Sequence, residues 1–136
     1  MEYFSHELIR LLEAHHDELT LALAEAMQVD GLPLVGMSLG ELSQVVRGMR
    51  AVFAESLSGQ SRDIWGYFFE AIVPGLRDAG VPLEEVVGLT PRLFVLIAAL
   101  VERDLPLVQR AAALRWLSRF TQCCTREVAR AFALAA

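Results

Sequence analysis

The apolar positions follow a helical period along the whole chain. Over residues 4–28, Leu8, Leu11, Leu12, His15, Leu19, Ala22, Leu23 and Ala26 recur at i, i+3, i+4 and i+7, with Glu13, Asp17 and Glu25 opposite beside Arg10. This predicts one amphipathic helix with a single buried stripe. Asp30-Gly31-Leu32-Pro33 ends it, since Gly and Pro both interrupt helical backbone. Ser38 and Glu41 have the spacing of a capping box and predict a second helix running to about Leu57. After Ser58-Gly59-Gln60-Ser61, a third helix is predicted over about 62–78, with Pro74 expected to kink or divide it.

Ala79-Gly80-Val81-Pro82 reads as a tight corner, with a Gly C-cap and Pro at the first position of the next helix. Thr90-Pro91 offers a second start, so residues 82–101 are either one kinked helix or a short helix followed by a longer one. Asp104-Leu105-Pro106 is the last break, and nothing interrupts the pattern from about 107 to 132. No run alternates apolar and polar residues between turn dipeptides, so no strand is predicted. The expected fold is all-α: about five to six helices in one domain over 1–136, with a long C-terminal helix.

Two segments carry more apolar surface than one core contact needs. Residues 93–101 are apolar on every side, and Trp116, Phe120, Cys123 and Phe132 widen the stripe of the last helix. The excess suggests a partner, preferably a second copy of the chain. The expected dimer face is Leu93, Leu96, Ile97, Leu100, Leu114, Leu117, Thr121, Cys124 and Val128. Arg115, Arg119, Arg126 and Arg130 form a narrow basic strip, read either as a solvated face or as a dock for an acidic partner.

Composition narrows the class further. The chain has 136 residues, 54% hydrophobic and 21% charged, enough for a core and outside the disordered regime. The nine-residue run 93–101 is too short to cross a bilayer. The N-terminus has no basic region leading into an apolar stretch, so a cytoplasmic protein is expected. All twelve basic residues are Arg and the net charge is −5, which argues against non-specific nucleic-acid binding through phosphate neutralisation.

Little in the sequence points to catalysis. Glu13 and His16 have the Glu-x-x-His spacing of di-iron carboxylate bundles, but those sites need the motif twice. The three His, at 6, 15 and 16, all fall on the first helix, so no metal site is expected and the pair reads as a polar face. Neither a nucleophile elbow nor a Gly-rich phosphate loop is present, and no Ser/His/Asp arrangement stands out. Glu84 and Glu85 complement the dipole of a helix start. The adjacent Cys123 and Cys124 point about 100° apart on a helix and read as unlinked small fillers. Trp65, Phe68, Phe69 and Ile72, with Leu76, are either core or the lining of a small apolar pocket.

Three stretches resemble the non-haem globin sensor domain found at the N-terminus of RsbR-type stressosome proteins and related bacterial regulators. They are Leu11-Leu12-Glu13-Ala14-His15-His16-Asp17-Glu18-Leu19, then Leu76-Arg77-Asp78-Ala79-Gly80-Val81-Pro82-Leu83-Glu84-Glu85-Val86-Val87, and the long closing helix. The resemblance implies a globin-like fold paired through its last two helices, with a sensory or regulatory role and an output partner. In haem-binding relatives the proximal His lies four residues before the corner Gly; here that position is Leu76, which cannot ligate iron. The resemblance therefore implies a fold that has lost its haem; with no catalytic constellation in the chain, no other cofactor and no enzymatic activity are expected. A haem-binding gas sensor and a metal-dependent enzyme on Glu13/His16 are the alternatives.

Overall fold

The computed structural model describes residues 3–31, 37–58, 73–78 and 80–134. Six helices occur among them: α1 Ser5–Ala14, α2 His16–Val29, α3 Leu39–Ser58, α4 Val73–Asp78, α5 Leu83–Asp104 and α6 Leu107–Leu134. No strand occurs among the described residues. The fold is all-α with a long C-terminal helix, as the apolar period predicts. No described helix is long and apolar enough to cross a membrane.

Helix ends follow local chemistry. Ser38 and Glu41 close the capping box: Glu41 N–H donates to Ser38 Oγ at 3.1 Å, and Ser38 N–H donates back to Glu41 Oε1 at 3.4 Å. Gly80, at φ +88°, ends α4 in a Schellman motif, with Val81 N–H on Leu76 O at 3.0 Å and Gly80 N–H on Arg77 O at 2.9 Å. Val81 is buried beside this cap. Pro82 is the N-cap of α5, one position earlier in the cap than expected. Pro91 lies inside α5, which is one continuous helix. Proline supplies no donor at that turn, and one position on, the Arg92 side chain adds a bond from Nη1 to Gly88 O at 3.1 Å.

The predicted first helix is two. His15, at φ −109° and ψ 23°, leaves helical geometry between α1 and α2. The buried stripe therefore changes phase: Leu8 and Leu12 are followed by His16, Leu19, Thr20, Leu23 and Met27, while His15 turns outward. The expected stripe through His15, Ala22 and Ala26 is corrected by one residue.

Helix α5 packs against α1, α2, α4 and α6, while α3 lies on α1 and α2. The core is continuous across these helices. Phe53 of α3 sits at an aromatic centre, 5.7 Å from Phe94, 4.8 Å from Trp116 and 5.1 Å from Phe120 between ring centroids. Edge-on and offset ring pairs at these separations add to the area that the rings bury. The inner stripe of α6 is Ala113, Leu117, Phe120 and Cys124, with Leu114 and Thr121 only half-buried at its margin.

Candidate functional site

The break at His15 points two adjacent histidines in opposite directions. His15 faces outward, with Nδ1 2.7 Å from Glu18 Oε2 and Nε2 3.5 Å from Asp104 Oδ2. Arg103 completes this surface group, reaching Glu18 Oε1 at 3.3 Å and Asp104 Oδ2 at 2.9 Å. Hydrogen bonds from Arg103, then from His15, hold Glu18 below its usual carboxylate range, and Arg103 does the same for Asp104. These links join the start of α2 to the end of α5. All are largely solvated, so each is worth little alone.

His16 faces inward and is only 8% exposed. Arg50 of α3 donates from Nε to His16 Nδ1 at 3.0 Å, and His16 Nε2 lies 2.9 Å from Ser43 Oγ. A guanidinium can only donate, so His16 Nδ1 carries the lone pair and Nε2 carries the hydrogen, which goes to Ser43. Burial, then the charges of Arg50 and Arg47, lower the His16 pKa against an opposing pull from Asp17. The imidazole is thereby held neutral. This Ser–His contact has the reverse polarity of a catalytic dyad, in which the base presents a lone pair to the hydroxyl.

Beside this network a cleft of about 230 Å³ opens between α1 and α3. Ile9, Leu12, Ala51, Phe53 and Ala54 make its apolar wall, and Glu13, Arg47 and Arg50 its polar edge. Arg50 is half-buried, and its pKa is lowered by burial, opposed by the charge of Glu13. Its place follows from the sequence: residue 50 lies between the buried Met49 and Phe53 and so borders the core-facing stripe of α3.

Other expected sites fare differently. Trp65, Phe68, Phe69 and Ile72 lie outside the described residues, while Leu76 is partly buried against the core. Of the expected dimer face, Leu93, Ile97, Leu100, Leu117 and Cys124 are buried in the chain's own core. They are already covered by neighbouring helices and do not form an open face. Leu96, Leu114 and Thr121 are half-buried, and the side chain of Val128 lies outside the described residues. Residues 93–101 are not apolar surface on every side: only Val95 and Ala99 are exposed.

Glu13 and His16 do not converge on a metal. Glu13 is exposed, and both His16 nitrogens are occupied by protein partners. Among the described residues no group of three or more His, Cys, Asp or Glu side chains is placed to hold an ion. Cys123 is exposed and Cys124 buried, both as free thiols. Arg115, Arg119, Arg126 and Arg130 are exposed along α6. Glu85, expected as a dipole complement, is only 6% exposed, and its Oε2 is buried with no hydrogen-bond partner among the described residues.

Sequence reasoning missed Arg47, Arg50 and Ser43. The available signal was a pair of arginines three residues apart on α3, one of them beside a buried apolar position. Comparison with family models, with curated proteins and with solved structures returns no match for this chain.

Proposed function

We propose that the chain is a haem-less, globin-like sensory or regulatory domain of bacterial stress signalling, which acts by binding and pairs with a second copy of itself. The observation that carries the binding part of this reading is the polarity of the His16 site. Its lone pair is occupied by Arg50, its hydrogen points at Ser43, and its pKa is lowered. Such a histidine orients an arginine at a cleft; it does not activate a hydroxyl. The haem-less part of the reading rests on the sequence resemblance, which sets the non-ligating Leu76 where haem-binding relatives carry the proximal His.

Pairing draws support from apolar side chains left exposed on α5 and α6. Val95, Leu107 and Val108 are 69%, 76% and 82% exposed on the two helices expected to meet a partner. Exposed side chains of this kind, rather than the core residues Leu93, Ile97 and Leu117, would then form the contact. The outer strip of α6 is the part left open for an output partner.

Sedimentation equilibrium at micromolar concentration tests the pairing. The reading expects a dimer that Val95→Asp and Val108→Asp weaken while the helical circular-dichroism signal persists. A strictly monomeric wild-type chain overturns it.

A further inference from the structure

We propose that the cleft between α1 and α3 binds a small organic monocarboxylate, with Arg47 and Arg50 holding the carboxylate and Ile9, Ala51 and Ala54 packing its apolar part. The inference rests on the reading of this chain as a binding domain and names the class of ligand.

Charge is the first argument. Among the described residues, neither Arg47 nor Arg50 has a carboxylate within 4.0 Å. Arg50 is half-buried, and its positioning partner is a neutral imidazole, which fixes the guanidinium without cancelling its charge. A guanidinium has five donors in a rigid fork suited to carboxylate oxygens. His16 engages one of them at Nε. A half-buried guanidinium that no described carboxylate neutralises offers its remaining donors to an anion from outside the chain.

Shape and lining narrow the anion. The open part of the apolar wall is Ile9, Ala51 and Ala54, backed by the buried Leu12 and Phe53, and an inorganic ion would leave that open apolar surface wet. A cleft of about 230 Å³ has room for a benzoate-sized acid. Glu13 lies on the same edge and adds negative charge. It favours a single negative charge over a phosphate dianion or a polyphosphate.

Benzoate, hexanoate and inorganic phosphate, each titrated into the full chain and followed by calorimetry and by backbone amide shifts, test the proposal. Benzoate or hexanoate should bind with a Kd of about 1 mM or tighter, with shifts confined to residues 9–13 of α1 and 47–54 of α3, which line the cleft. Arg50→Met should weaken this roughly tenfold or more, as loss of a charged hydrogen bond requires. Arg47→Met, an exposed position, keeps the test independent of folding and should weaken binding several-fold. Ala54→Leu retains both arginines, fills the cleft and should abolish binding. Absence of carboxylate binding, binding insensitive to all three substitutions, or phosphate binding as tightly as benzoate would each overturn the proposal. None of these results depends on whether the chain is a dimer, so failure here is separable from failure of the pairing.

Discussion

The coupling between His16 and Arg50 can be measured by a double-mutant cycle of His16→Ala, Arg50→Met and the two together. His16→Ala removes one hydrogen bond from a charged donor and one to a neutral hydroxyl. Such bonds contribute about 1.5–3 and about 0.5–1.5 kcal/mol respectively. The half-buried guanidinium can turn partly toward water, which favours the lower ends, so the single substitution should cost about 2–3 kcal/mol. The coupling energy from the cycle should be about 1.5 kcal/mol, and a value under about 0.5 kcal/mol, the usual error of additivity, would refute the interaction.

Urea denaturation at several pH values adds a sign. Because native His16 resists protonation, the unfolded chain binds a proton at this position more readily. Its contribution to stability is therefore complete above the unfolded value of 6.5 and is lost as pH falls from there toward the native pKa. The slope from this group cannot exceed one proton, about 1.4 kcal/mol per pH unit. The stability gap between wild type and His16→Ala should thus narrow from pH 7 to pH 5. A gap that stays constant or widens on acidification would show that the histidine is not held neutral.

Three further predictions concern the frame around the site. Phe53→Ala should cost about 3–5 kcal/mol, because it empties the centre of the aromatic group; a loss under about 1 kcal/mol in urea melts would place that centre elsewhere. Gly80→Ala should destabilise by about 1–2 kcal/mol, since φ is +88° and a Cβ would meet nothing within 4 Å among the described residues, leaving the backbone penalty. Gly75→Ala in α4, also in open space, should have the opposite sign, stabilising by up to about 1 kcal/mol, and equal signs in thermal melts would contradict the assigned corner. With Ellman's reagent, exposed Cys123 should react promptly. Buried Cys124, whose thiol pKa is pushed up to about 12 by burial and then by Cys123 and Glu127, should react only on unfolding, so two thiols released at once under native conditions would be inconsistent with the burial.

Much of the fold was legible because its punctuation is chemical. Ser38 with Glu41, Gly80 and Pro106 each carry a local signal that survives packing, and helix ends fall at or beside them. His15 carries no such signal. Neither Gly nor Pro marks the break, the period on both sides is helical, and the change of phase is set by tertiary packing of α1 and α2 against α3 and α5. That one residue decides which histidine is buried, so the site could not be assembled from periodicity. Apolar content also overstated the dimer face. Residues such as Ile97 and Cys124 are apolar because the chain's own helices cover them, and a pattern in one helix does not distinguish a neighbour in the same chain from one in another.

The tautomer of His16 tests the account most directly, and it is read from imidazole nitrogen shifts in a proton–nitrogen correlation spectrum followed against pH. The account predicts a neutral ring protonated at Nε2, with Nδ1 as the acceptor, persisting below pH 6.5, the unperturbed value. A ring protonated at Nδ1, leaving the Nε2 lone pair toward Ser43, or a ring already charged near neutral pH, would contradict it and return His16 to the candidates for a catalytic base.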